Sequence, residues 1–207
     1  MLKKYLKIGW RNLFKSKTSS IINISGLAVG MAVAILITLW IVDEVSFDKY
    51  HQNYDRIVQV MQHQTFNGEV GTQTANPAVM AQEIRRVYGN DFKYVLQSSW
   101  NFNHPIAYGD KILLKPGSYF EPAAPHMLTL KMLSGTRDGL KDINSILLSK
   151  GVATALFGNE EAIGKMLRID NKMDVKVTGV YEDLPDNTSF RELQFILPWD
   201  LYLSHNQ

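Results

Sequence analysis

Hydrophobic and polar positions divide the chain into two regions, and the first is a long run without charge. Residues 18–42 read TSSIINISGLAVGMAVAILITLWIV and contain no charged side chain. A helix rises about 1.5 Å per residue and needs roughly 20 apolar residues to cross a bilayer core. The run is longer than the roughly 7–15 apolar residues of a cleaved signal peptide, and no small-residue cleavage site follows it. We therefore predict a single retained transmembrane helix over residues 19–42.

Beyond residue 42 the pattern is that of a mixed domain. Strands are predicted at 56–64, 69–74, 94–99, 106–108, 111–115, 166–169, 175–181 and 193–197. Apolar stripes predict one helix that starts at Asn76-Pro77 and stops at Gly89, and another from Ser149 to Phe157 that Gly158 ends. Residues 116–142, which hold several prolines and glycines, are predicted to be the least regular part. The fold class predicted for residues 43–207 is an α+β extracytoplasmic domain.

Residues 1–18 form a basic segment in front of the apolar run. Leucines and aromatic residues recur at helical spacing on one side, and cations recur every fourth residue on another, which predicts an amphipathic helix in the headgroup plane. A solvated basic tail that only sets topology is the alternative. The residues proposed to contact the membrane surface are Lys3, Lys7, Trp10, Arg11, Phe14 and Lys15.

Charge predicts the orientation. The first 17 residues carry +6 and the whole chain +2, so residues 18–207 carry −4. Basic residues favour the cytoplasmic side, whereas the apolar run exits into Asp43, Glu44 and Asp48. We predict a bacterial inner-membrane protein with a cytoplasmic N-terminus and a periplasmic domain. Nucleic-acid binding is not expected, because the basic patch adjoins a membrane and the remainder is acidic.

Two parts of the membrane region are candidates for contacts. Gly26, Gly30 and Ala34 make a small-residue row that would let a partner helix approach, either within the same protein or in a second copy. The alternative is that such residues are simply common in membrane helices. The link between the span and the outer domain is assigned to Asp43, Glu44, Phe47, Asp48 and Tyr50.

The outer domain offers little that points to catalysis. The absence of cysteine excludes a thiolate zinc site and a cysteine nucleophile, and the five histidines are scattered. Residues 158–166, GNEEAIGKM, resemble a phosphate loop but have the wrong glycine spacing and a methionine in place of Ser/Thr. We predict no catalytic residue, cofactor or metal ligand. Gly158, Gly164 and Gly179 are predicted to be structural turn residues.

Several ordered blocks resemble one family, the MacB/FtsX-type permeases of ABC transporters. They are LKIGWRNL at 6–13, SFDKYH at 46–51 with DRI at 55–57, NSILLS at 144–149, ALFG at 155–158, IGK at 163–165, VTGVY at 177–181 and DLP at 183–185. The SFDKYH block is similar to the Bacteroidetes branch, and the later blocks to the MacB-like periplasmic core domain. Family permeases have further membrane helices after this domain, so the chain is expected to be an N-terminal piece with an incomplete domain.

The resemblance implies a mechanical role without catalysis in this chain. A cytoplasmic ABC ATPase would drive a pair of permease copies or halves, and helix movement would reach the periplasmic domain to export or extract a substrate. The competing hypothesis is a bitopic sensor whose α+β outer domain binds a ligand. A membrane-tethered enzyme is the third.

Overall fold

The structure is a computed structural model that describes residues 4–5, 9–11 and 15–205. By its internal contacts the chain divides into two units, Met1–Phe47 and Asp48–Gln207.

The first unit is built on one long helix, α1, Lys17–Ser46. It contains no buried residue, and a stretch of it has a mean hydropathy of 2.3, so its length and composition suit a membrane span. A Cβ added at Gly26 or Gly30 would meet nothing within 4 Å. Trp10, Arg11 and Lys15 have helical backbone and are exposed, whereas Lys3, Lys7 and Phe14 lie outside the described residues.

The second unit contains nine strands and four helices among its described residues. The strands are β1 (Gln62–Phe66), β2 (Glu69–Gln73), β3 (Phe102–Tyr108), β4 (Lys111–Phe120), β5 (Met132–Gly135), β6 (Ser145–Ser149), β7 (Met166–Ile169), β8 (Met173–Tyr181) and β9 (Phe195–Pro198). The helices are α2 (Met80–Tyr88), α3 (Ala124–Met127), α4 (Lys150–Phe157) and α5 (Trp199–His205), and a 3-10 turn covers Tyr54–Arg56.

Six strands of the second unit close into a ring in the order β8, β6, β9, β4, β3, β7 and back to β8. The β4–β9 and β6–β8 pairs are parallel and the other pairs in the ring are antiparallel. β5 lies outside the ring and pairs with the end of β8. β1 and β2 form a separate hairpin.

The ring has apolar residues packed on both of its surfaces. One cluster joins the strands to α4 and α5, and it includes Ile106, Leu148, Val175, Val177 and Phe195, each without exposed surface. The other cluster lies with α3 and the residues after it. Its fully buried members are Ala124, Leu128, Leu130, Leu140, Leu147, Tyr181 and Ile196.

Several elements differ from the sequence predictions. The strand predicted at 56–64 starts only at Gln62, because the 3-10 turn and an exposed stretch precede it. At 94–99 a single bridge, Ser98 with Phe120, replaces the predicted strand. The 116–142 region is more regular than predicted, since it holds the buried end of β4, α3 and β5.

The three glycines predicted as turn residues fall in different settings. Gly158 follows α4 with φ 64°, and Gly164 precedes β7 with φ 84°. Gly179 lies inside β8, so its assignment to a turn is wrong. It sits beside a register shift between β6 and β8, where an added Cβ would be 2.7 Å from Leu147 Cδ2 and from Met132 Cε. Gly179 is therefore needed for close packing and not for a turn.

Candidate functional site

Asp48, the first residue of the second unit, is held by the loop of residues 187–190. Its backbone N–H donates to the Asn187 carbonyl at 2.8 Å. Its carboxylate Oδ1 accepts from the Thr188 hydroxyl and the Ser189 N–H, both at 2.7 Å, and Oδ2 accepts from the Ser189 hydroxyl at 2.7 Å. The residue adopts φ 59°, a conformation that aspartate tolerates better than most residues. The start of the domain is thus fixed by four hydrogen bonds to one loop.

The surroundings of Asp48 favour its ionised form. Burial alone would raise the pKa of this carboxyl, but the hydrogen bonds from Ser189 and Thr188 outweigh burial and hold the pKa below its ordinary value of 3.8. Hydrogen bonds donated to a carboxylate stabilise the charged state, and such bonds are stronger than those between neutral groups. Asp48 therefore acts as a charged acceptor.

His51 and Gln52 form hydrogen bonds with a second loop, the turn of residues 128–131. The His51 side chain is only 2% exposed, and its Nδ1 donates to the Leu128 carbonyl at 2.6 Å. The ring meets the Phe190 ring edge-on, with centroids 5.4 Å apart. The Gln52 N–H donates to Thr129 Oγ1 at 2.9 Å. The residues after Asp48 therefore contact both loops at once.

Tyr50 adds an ionic contact on the outer side of this arrangement. Its hydroxyl donates to Glu182 Oε2 at 3.4 Å, and the Lys131 ammonium lies 3.1 Å from the same oxygen and 5.1 Å from the centre of the Tyr50 ring. Burial and the neighbouring Glu182 charge raise the pKa of Tyr50. We call residues 48–52 the post-helix segment, and its contacts with residues 128–131, 182 and 187–190 the clasp.

The predicted linker residues divide between the two units. Asp48 and Tyr50 belong to the clasp, whereas Asp43, Glu44 and Phe47 lie at the end of the first unit. There the Phe47 N–H donates to the Glu44 carbonyl at 3.3 Å, and the Asp43 carbonyl accepts from the Ser46 hydroxyl at 3.0 Å. The prediction missed the buried His51 and the hydroxyl residues Thr129, Thr188 and Ser189. Of these residues, His51 alone lies in a block that resembles the family, SFDKYH, and this was the one signal in the sequence that could have identified it.

Lys165, in the segment 158–166 that resembles a phosphate loop, contacts side chains of its own domain. The Lys165 ammonium pairs with the Glu160 carboxylate and lies 4.8 Å from the centre of the Phe157 ring and 5.2 Å from that of Tyr108. The hydrogen bond from Lys165 lowers the pKa of Glu160. This cation serves as a local packing and charge partner within the domain. Within residues 4–5, 9–11 and 15–205, no three His, Asp or Glu side chains gather as a metal site would require.

A comparison with protein families decides the family. The model of the MacB-like periplasmic core domain matches residues 20–207. The chain belongs to this family. The match starts within α1 and covers every strand of the second unit, so the α+β domain after an apolar helix is a MacB-like periplasmic domain of the ABC-transporter permease family.

Solved structures give a similar picture of the fold. The extracellular domain of the ABC-type transporter YknZ from Gram-positive bacteria matches with a TM-score of 0.51 and 18% identity over 70% of this chain and 74% of that one. At this identity the likeness concerns the fold alone.

Two further structures match less well. The periplasmic region of MacB from Actinobacillus actinomycetemcomitans has a TM-score of 0.47 and 19% identity, over 61% of this chain and 56% of that one. A permease domain from Porphyromonas gingivalis has a TM-score of 0.45 and 25% identity, over 53% and 51%. This chain thus spans little more than half of either structure. No curated protein matches it.

Proposed function

We propose that this chain is the N-terminal part of an ABC-transporter permease that carries ATPase-driven helix movement into a periplasmic domain for export or extraction of a substrate. In this proposal residues 1–18 lie on the cytoplasmic membrane surface, residues 19–42 cross the inner membrane and residues 43–207 are periplasmic. The partners are a cytoplasmic ABC ATPase, a second permease copy or half, and the lipid bilayer. Catalysis resides in the ATPase, and this chain supplies the moving connection.

Membership in the family supports the class of function, and the charge distribution supports the orientation. Cations concentrate before α1, whereas Asp43 and Glu44 follow the apolar run. Trp10, Arg11 and Lys15 suit a helix in the headgroup layer, where an aromatic ring and cations both find favourable surroundings. Gly26 and Gly30 are four residues apart on α1, which suits close packing against another transmembrane helix.

The clasp is the observation that supports transmission of helix movement to the domain. α1 ends at Ser46, and Asp48, only two residues later, already accepts three hydrogen bonds through its carboxylate. Such a short link has little slack, because two residues span at most about 7 Å even when fully extended. A displacement of the helix end along the chain direction is therefore delivered to the 187–190 loop, which residues 191–194 connect to β9.

The proposed topology is tested with single cysteines in a chain that has none of its own. Ser16→Cys precedes α1, and Asp110→Cys lies in the exposed turn between β3 and β4. An impermeant thiol reagent applied to cells with a permeabilised outer membrane should label position 110 and spare position 16. Labelling of position 16 with protection of position 110 would overturn the orientation.

The proposed mechanism is tested on the permease in complex with its ATPase in lipid nanodiscs. Amide hydrogen exchange in β9 and β5 should differ between the ATP-trapped and nucleotide-free complexes. Asp48→Asn should abolish that difference while ATP hydrolysis continues, since the ATPase site is in another chain. Arg168 and Asp174 form an exposed pair on β7 and β8, so Asp174→Asn is the control that should retain the difference. Equal exchange with and without trapped ATP in the unmodified complex would contradict the proposal.

A further inference from the structure

Thr129, which accepts a hydrogen bond from the post-helix segment, adopts a backbone conformation that its side chain disfavours. Its φ is 49°. The other described non-glycine residues with positive φ are Asp48, Asn67, Asp170 and Asn171, whose side chains tolerate the left-handed region. A β-branched residue in this region is strained, and such strain persists only where its surroundings enforce it.

Contacts on both sides enforce the conformation of Thr129. Within the turn, its N–H donates to the His126 carbonyl at 3.2 Å, and its neighbours Leu128 and Leu130 are fully buried. From the post-helix segment, the Gln52 N–H donates to Thr129 Oγ1 at 2.9 Å and His51 Nδ1 donates to the Leu128 carbonyl at 2.6 Å. Part of what holds the strained turn therefore belongs to the post-helix segment.

The turn leads directly into β5, which has few other attachments. Among the described residues, β5 pairs only with the end of β8, and its register shifts between Met132 and Ser134. Leu133 is 54% exposed. Immediately before the strand, the Lys131 carbonyl accepts from the Glu182 N–H at 2.8 Å. A change in the turn at Thr129 would therefore be passed to a short outer strand that pairs on one side only among the residues described.

We propose that the turn of residues 128–131 is a two-state element that the post-helix segment holds in its strained state. When His51 and Gln52 shift away from the turn, Thr129 loses the Gln52 hydrogen bond and relaxes to negative φ, and β5 moves on the edge of β8. The inference rests on the proposed function for the source of movement, which is the displacement of α1. It assigns to β5 the role of the strand whose position reports that displacement.

The test is a double-mutant cycle on the full chain in nanodiscs without an ATPase, read by amide hydrogen exchange of residues 130–135. Asp48→Asn loosens the post-helix segment and should raise exchange of these amides by about tenfold. In a Thr129→Gly background the same change should raise it by less than about twofold, because glycine adopts positive φ without strain and lacks the Oγ1 that accepts from the Gln52 N–H. Asp174→Asn, in an exposed ion pair elsewhere, is the matched control and should have no effect in either background.

Two results would overturn the inference. One is an equal increase from Asp48→Asn in both backgrounds, which would mean that strain at Thr129 has no part in holding β5. The other is no increase in the Thr129 background, which would mean that the post-helix segment does not hold the turn. If Asp48→Asn does not fold, Ser189→Ala removes one hydroxyl donor to the same carboxylate and takes its place. Because no ATPase is present, the cycle can fail or succeed independently of the ATP-driven exchange test.

Discussion

The long helix α1 and the strand ring are both rich in apolar residues, yet they use them in opposite ways. None of the described residues of α1 is buried, whereas Val175, Val177 and Ile196 of the ring have no exposed surface. The exposed apolar surface of the helix suits a lipid environment, whereas the ring buries its apolar residues against one another. Apolar residues therefore stabilise the domain only where they lie after Phe47, in the second unit. The polar contacts of the clasp lie within the second unit, where they hold its first residue, Asp48.

The largest difference is expected when one large side chain is truncated in the strand ring and another in α1. Phe195 is fully buried, its ring faces Gly117, and it meets the His104 ring at a centroid distance of 5.7 Å. Phe195→Ala should lower the free energy of unfolding of the domain by about 3–5 kcal/mol. Leu36→Ala, at a position of α1 that is 65% exposed, is the control and should leave domain unfolding in denaturant unchanged. Similar losses from both variants would contradict the comparison.

The same substitution at two glycines should affect the two units differently. Gly179→Ala places a Cβ 2.7 Å from two side chains, so it should cost the domain about 1–3 kcal/mol through overpacking. Gly30→Ala lies in the first unit, outside the packing of the domain, and should leave the midpoint of domain unfolding where it was. Chemical denaturation of the two variants in the same detergent measures both. A neutral Gly179→Ala would show that the Leu147 and Met132 side chains can move aside at the register shift without cost.

Packing of α1 against another helix is the third place where the two regions should differ. Gly30→Leu should weaken association of transmembrane helices by about 1 kcal/mol if the row of Gly26, Gly30 and Ala34 is a contact face. A genetic or fluorescence reporter of helix association in membranes measures this effect. No change for Gly30→Leu together with a loss for Leu36→Ala would place the contact on another face of the helix.

The smallest predicted effect is a pH-dependent one at the clasp. Ser189→Ala removes one hydroxyl donor to Asp48 and should destabilise the domain by about 0.5–1 kcal/mol at neutral pH. The Asp48 pKa is lowered from 3.8, so the stability that its charge provides is present above that value and is lost as the pH falls through the lower, folded-state pKa. The gap between Ser189→Ala and the unmodified chain should therefore persist from neutral pH to about 4 and narrow below it. A gap that closes between pH 7 and 5 would contradict this assignment.

The sequence was most informative where one physical rule acts alone. A charge-free run of 25 residues predicted the apolar helix, because membrane span length depends on little else. Ser149 and Gly158 predicted both ends of α4, since the Ser149 side chain accepts from the Val152 N–H and Gly158 adopts φ 64°. Local rules of capping and turn geometry were sufficient in these places.

The sequence was least informative where distant segments meet. β6 was not predicted as a strand, because SILLS is buried at every position and lacks the alternation of a half-exposed strand. The clasp joins Asp48 to Ser189 across 141 positions, and nothing local marks Thr188 or Ser189 as its partners. Thr129 has no signal in sequence at all, since its left-handed backbone opposes the preference of threonine.

The central claim is that an ionised Asp48, the first residue of the domain, is held by the 187–190 loop. Titration of the Asp48 carboxyl group tests this claim directly. The full chain, labelled with carboxyl carbon-13 aspartate in nanodiscs and assigned with Asp48→Asn, gives the midpoint from the carbon shift. We expect a midpoint below 3.8 that moves upward in Ser189→Ala, because that variant loses one donor to the carboxylate. A midpoint at or above 3.8 that Ser189→Ala leaves unchanged would mean that the clasp does not hold Asp48.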